Sequence, residues 1–282
     1  MRGERRAPVL AAVGLLLLFA GCQATVDRFR ANYAAKQGND FYKAGDYDKA
    51  IEWYRYATYL NPELGIAYYH AALANMALYK PGSRHWKDLH YSQEAIDNLK
   101  RYLYFTPGNQ EAKDHLLTVY LQAERYDEAA DFFKDELEAV GGEDPARASE
   151  LMQRLGMIYA KKGDFDNSFE WYKKRAEIER DSPEAFYTIG VLCWDKVYHA
   201  GLMLDLDRRK ELIEMGLDYL RQATDLRENY FEAVSYINLL FREKAKIAAQ
   251  LGNNEDYAKW TQEADKNLKL ALRMRKEVMA KK

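Results

Sequence analysis

The sequence predicts an all-α fold, a solenoid of about six helix–turn–helix repeats closed by a C-terminal capping helix. Three observations carry this reading. The same residue types recur in six units of the 282-residue chain, with two start-to-start spacings of 34 residues, and a period of that size marks a stacked-repeat architecture. Within each unit, small and large apolar residues alternate at helical spacing. Only six Pro and 16 Gly occur, too few for a disordered or turn-rich all-β chain.

The chain opens with Arg2, Arg5 and Arg6 ahead of an apolar run from Val9 to Gly21. The run is short for a bilayer span and has the layout of a secretory signal. It ends Leu18-Phe19-Ala20-Gly21-Cys22. Ala20, Gly21 and Cys22 resemble the bacterial lipoprotein signal, with Phe19 where Leu is usual. The resemblance implies a signal peptide over 1–21 and acylation of Cys22, palmitate included. At about 0.8 kcal/mol per buried CH₂, more than one acyl chain anchors a protein stably. Gln23, rather than Asp, follows the Cys, which by the same resemblance points to the outer membrane, facing the periplasm. Thr25 is the expected N-cap of a helix from Val26. The tether is therefore short and the first helix lies closest to the bilayer. Without residues 1–21 the chain loses three Arg and one Glu and becomes mildly acidic, so a nucleic-acid partner is excluded on charge.

With Ala31 as position 1 of a repeat, Gly38 falls at 8, Phe41 at 11, Gly45 at 15, Tyr47 at 17, Ala50 at 20, Tyr54 at 24, Ala57 at 27 and Pro62 at 32. Small residues at 8 and 20 let two helices approach, large ones fill the space around the contact, Gly makes the turn and Pro ends the second helix. Further units start at Gly65, Gln110, Ser149, Pro183 and Phe231. This pattern resembles the tetratricopeptide repeat, which implies a right-handed superhelix. The chain then divides into repeats 1–3 over 22–140, an inter-repeat hinge over 141–148 around Gly141-Gly142, and repeats 4–6 with the capping helix over 149–282.

The starts at 65 and 110 and those at 183 and 231 are more than 34 apart. The excess falls between helices A and B of a repeat, at Lys80–His90 and near Tyr198–Leu212, with a further lengthening between Phe241 and Tyr257. These segments are expected as inserted loops crowding one rim. Trp86 is their candidate anchor, pinning its loop to the solenoid or gripping a partner. The charge-rich segment from Asn253 is expected to cover the last interface.

The family resemblance places partner binding on the concave face, at helix A positions 2, 5, 9, 12 and 13. On this chain those positions give an apolar or aromatic group, Tyr42, Tyr69, Leu73, Met76, Met157, Tyr187, Val191 and Trp194. They also give an acidic group, Glu111, Asp114, Glu150, Glu184, Asp195 and Glu232. Several of the carboxylates sit in a first helical turn, where the helix dipole stabilises negative charge by about 0.3–1 kcal/mol. Relatives that dock a C-terminal carboxylate use Lys, Asn and Arg at set positions. Here Asn39 is kept, Ala35 replaces the Lys, and His70, Glu111 and His115 follow. An apolar or weakly cationic segment is the expected occupant. Of the 22 Tyr, Tyr47, Tyr54, Tyr68, Tyr120, Tyr126, Tyr159, Tyr172 and Tyr257 fall at packing positions.

No phosphate loop, HExxH, GxSxG or CxxC occurs. His85 and His90 have a poor spacing for a metal, and Cys193 occupies a core position. The chain is expected to be no enzyme, to need no cofactor or metal, and to act as a lipid-anchored scaffold. It resembles type IV pilus pilotins and the accessory lipoprotein of the β-barrel insertion machine, which implies a protein partner of the cell envelope held in the groove during assembly of a secretin, pilus, motility or β-barrel complex. The alternative is a glycan- or small-ligand-binding accessory protein using the inserted loops with Trp86, Trp194 and Tyr198.

Overall fold

The computed structural model describes residues 7–280, with side chains from Gln23 onward except Ala24 and Leu202. Among these residues there are twelve α-helices and no strands. In chain order they are α1 (Ala7–Lys43), α2 (Tyr47–Leu60), α3 (Gly65–Leu78), α4 (Trp86–Phe105), α5 (Gln110–Gln122), α6 (Tyr126–Val140), α7 (Pro145–Lys162), α8 (Phe165–Ile178), α9 (Pro183–Ala200), α10 (Leu206–Leu226), α11 (Phe231–Gln250) and α12 (Asn254–Ala280). The fold is an all-α array of tetratricopeptide-type hairpins, with odd-numbered helices as A and even-numbered ones as B. It falls into two compact units, Met1–Arg125 and Tyr126–Lys282.

The repeat register reappears as geometry. Gly38 and Gly156, both at position 8, face the position-24 rings of Tyr54 and Tyr172. A Cβ on either glycine would lie 2.6 and 2.5 Å from the nearest ring carbon. Only a residue without a side chain lets helices A and B close to this distance. Position 15 takes a left-handed backbone in repeats 1, 3 and 4, with φ of 78° at Gly45, 56° at Glu124 and 82° at Gly163. Glycine adopts this without strain; Glu124 holds it against the cost of its Cβ.

Helix starts follow side-chain caps. Asp46, Asn109, Asp164, Ser182 and Asp205 each accept a hydrogen bond from the backbone N–H three residues on, satisfying a donor the helix cannot. In the second unit, Ile189, Leu212, Leu217, Leu220 and Leu240 are fully buried around Cys193. Burying each such Leu or Ile contributes about 1.5–3 kcal/mol. The Cys193 thiol is pushed up to about 12 by that burial, so it packs as a small hydrophobe.

Four expectations are corrected. α1 runs unbroken through Thr25, so Thr25 is not its N-cap; the Leu- and Ala-rich segment before it is itself helix-forming. Residues 145–148 are the first turn of α7, because Asp144 caps Arg147 N and Pro145 is preset for position N1. What remains of the 141–148 hinge is a turn inside the second unit, crossed by an Arg147–Glu136 ion pair at 3.5 Å, and the two units divide at 125/126 instead. The extra residues between helices A and B are mainly added helical turns rather than loops. α4 begins at Trp86, with His85 Nδ1 accepting from Lys87 N, and α9 to α12 are each lengthened. The charge-rich C-terminal helix is α12 itself, the B helix of repeat 6. It buries Ala264 and Ala271, while Tyr257 is exposed rather than packed.

The Cys22 side chain lies outside the described residues. Among the described residues no helix is long and apolar enough to cross a membrane.

Candidate functional site

In the first unit, the groove positions come from α1, α3 and α5. Tyr42 of α1 and Leu73 of α3 line one cavity of about 260 Å³ together with Asn39, Lys43, Tyr54 and His70. Its back wall is fixed, since the Tyr54 hydroxyl donates to Asn39 Oδ1 at 2.8 Å and the ring is buried against Gly38. His70 stands 5.7 Å from the Tyr54 ring, and burial lowers its pKa, favouring the neutral imidazole.

Tyr69 belongs to a neighbouring cluster. Its ring lies 4.9 Å from Tyr102 and 6.0 Å from His115. Burial first, and then the Glu111 carboxylate, push its hydroxyl up to about 12. His115 in turn lies 3.8 Å from Glu111. Met76 is half-buried and Asp114 is exposed; neither lines the cavity.

In the second unit, α9 and α11 build an aromatic wall. Tyr187 packs at 5.2 Å on Tyr230 and 5.6 Å on Tyr236. Trp194 meets Tyr236 edge-on at 5.2 Å and stacks on Tyr198 at 5.0 Å. Two cations of the same chain already cover this wall at its ends, Arg227 at 4.4 Å from Tyr230 and Lys246 at 5.6 Å from Tyr198. The middle of the wall, Tyr187–Tyr236–Trp194, has the large amphipathic surface that binding sites favour. Val191 and Met157 are half-buried on α9 and α7, and Glu232 is exposed at the start of α11.

Several of the acidic positions carry compensated charge. Arg147 and Arg154 hold Glu150 at 2.6 and 2.9 Å. Its burial opposes ionisation, but the two guanidinium hydrogen bonds outweigh this and lower its pKa. Glu184 is exposed, and the bond to Arg227 outweighs the opposing desolvation and lowers its pKa. Asp195 lies 3.3 Å from His199. Within the expected acidic lining, Glu150 and Glu184 are thus paired with arginine, whereas Glu111 and Asp195 have a histidine beside them and Glu232 is exposed.

Trp86 is 65% exposed at the first turn of α4, with His85 and Lys87 beside its ring. The turn before α4 is held instead by Ser83, whose hydroxyl donates to Asp88 Oδ2 at 2.6 Å, and by the Tyr79 hydroxyl, which donates to the Gln122 carbonyl at 2.9 Å. Among the described residues no group of three or more His, Cys, Asp or Glu could hold a metal.

Tyr230, Tyr236, Arg154 and Arg227 were not legible as groove residues. Tyr230 and Tyr236 lie off the positions the repeat assigns to the groove. Arg227 meets Glu184 only because residues 43 apart in the chain become neighbours.

Residues 38–64 and 149–182 match tetratricopeptide-repeat family profiles. Both are tetratricopeptide repeats. The photosystem I assembly protein Ycf3 of Acaryochloris marina is 25% identical over 92 residues, 33% of this chain and 55% of that protein. The chain spans little more than half of that relative's length. Ycf3 of Rippkaea orientalis is 28% identical over 152 residues, 50% of this chain and 84% of the relative. Among solved structures, PilF of Pseudomonas aeruginosa is similar at 14% identity with a TM-score of 0.38, over 91% of this chain and 99% of PilF.

Proposed function

We propose that the chain is a lipid-anchored tetratricopeptide-repeat scaffold of the bacterial envelope. It holds a protein segment on its helix-A faces while an envelope complex is assembled. The observation that carries the binding half is the cavity at Tyr42, His70 and Leu73, where groove positions of two successive repeats converge on one fixed hollow. Its lining by Tyr42, Tyr54 and Leu73 suits an apolar side chain of the bound segment, with Lys43 and Asn39 available for polar contacts. The anchoring half is supported by the Ala20-Gly21-Cys22 sequence after the apolar run.

The test is photo-crosslinking in envelope membranes, with a benzophenone residue at Tyr42 or at Trp194. The same envelope protein is expected in adducts from both positions, and none from Lys173, an exposed residue of a B helix. Adducts equally abundant from Lys173, or none from the groove positions, would refute the binding reading.

A further inference from the structure

The tyrosines that neither pack the repeats nor line the groove are not scattered over the first unit. On α1, Val26, Phe29 and Tyr33 are exposed, Phe29 by 76%. Their spacings of three and four place them on one stripe of the helix. Arg28 of α1 lies beside the turn between α2 and α3, where it approaches Glu63 at 3.9 Å. The start of α3 meets the end of α4, where Tyr68 stacks on Phe105 at 6.3 Å. At this edge Tyr56, Tyr59 and Tyr104 are also exposed, the last two by 79% and 73%. At the opposite edge, among the described residues, the exposed large apolar side chains are Trp86 and Leu89.

Arginine accompanies the rings. Arg28, Arg30 and Arg55 are exposed at or near the same edge, and the Arg101 guanidinium lies 5.2 Å from Tyr104 and 5.0 Å from Phe105. Exposed tyrosines with cationic neighbours suit the boundary of water and hydrocarbon. There the ring body is buried, the hydroxyl stays wet and the guanidinium meets lipid phosphate. Two features of the chain say what covers this edge. Among the described residues nothing covers the Val26–Phe29–Tyr33 stripe of α1. The same helix contains Cys22 seven residues before Phe29, so an acyl anchor on Cys22 brings this edge against the bilayer.

We infer that this edge of the first unit is a membrane seat. Phe29, Tyr33, Tyr59 and Tyr104 rest at the headgroup level of an anionic bilayer, with Arg28, Arg30 and Arg101 on its phosphates. The inference rests on the lipid-anchor reading of Cys22 and extends it from a tether to a fixed orientation, in which the Trp86 edge points away from the membrane.

The full chain, reconstituted in vesicles of phosphatidylethanolamine and phosphatidylglycerol containing a photoactivatable phospholipid, tests it. Lipid adducts are mapped by peptide mass spectrometry after flotation. Adducts are expected on the peptides bearing Phe29–Tyr33, Tyr59 and Tyr104, with none on that bearing Trp86. The triple variant F29S/Y59S/Y104S, checked for native helicity, should lose those adducts severalfold and still float. If the chain floats but adducts are confined to the peptide bearing Cys22, the anchor stands and the seat is refuted, a protein partner then being the cover of this edge. Adducts on Trp86 instead also refute the seat. A chain that does not float at all removes both the seat and the anchor.

Discussion

Substituting Gly156 by Ala probes the contact on which the repeat register depends. The added Cβ would lie 2.5, 2.6 and 2.8 Å from Cε1, Cδ1 and Cζ of Tyr172, where ordinary contacts begin at 3.4 Å. Tyr172 is only 7% exposed, so its rigid ring cannot swing out. Ser168, whose hydroxyl donates to the Gly156 carbonyl at 2.8 Å, fixes the facing turn of α8. Overpacking a site of this kind costs about 1–3 kcal/mol. Ala recovers close to 1 kcal/mol through its better helix propensity. The net loss is therefore about 0–2 kcal/mol, toward the upper end because the ring cannot yield, and the expected fall in Tm is up to about 6 °C. Thermal melting followed by far-ultraviolet circular dichroism measures it. Tyr172→Leu makes room at the contact, so in that background Gly156→Ala should cost much less, the non-additivity of neighbours in contact. Gly142→Ala is the control. Gly142 has no heavy atom near its Cβ position and an ordinary φ, so the change should be neutral or stabilise by about 0.4–1 kcal/mol. A Gly156→Ala melting point at or above wild type would refute the close-approach argument.

Two further outcomes follow from the site. Burial lowers the pKa of His70 from 6.5, so the unfolded chain takes up this proton first as pH falls. The stability His70 contributes is full above 6.5 and is lost as pH drops through that value toward the lower folded one. Urea midpoints should fall between about pH 7.5 and about pH 5.5, with a smaller fall in His70→Gln; equal falls would show that other groups carry the slope. Trp86→Ala removes a side chain that is 65% exposed, so stability should change by less than about 0.5 kcal/mol. A larger drop in the denaturation midpoint would show that Trp86 does pin the turn before α4.

The period alone determined much of the fold. Gly38 opposite Tyr54, Gly156 opposite Tyr172, and the starts of α3, α5, α9 and α11 were all legible, because each depends on spacing within one hairpin. The same spacing placed Tyr42 and Leu73 on helix A, and these do share a cavity. What depended on contacts between repeats was not legible. Tyr69 meets His115 from the next repeat, and Tyr187 and Trp194 of α9 meet Tyr236 of α11.

The added residues between helices A and B were read as loops because their composition suits either a loop or an exposed helix. The capping atoms of His85 and Asp205 decide the matter, and a cap acts only once its helix is in place. The sequence by itself determined that the chain is an all-α repeat array and which residues close each hairpin, since local packing repeats with the chain. Only the tertiary structure decided that Arg227 reaches Glu184, which rings of successive repeats meet and which edge they leave uncovered, because those follow from distances between residues far apart in the chain.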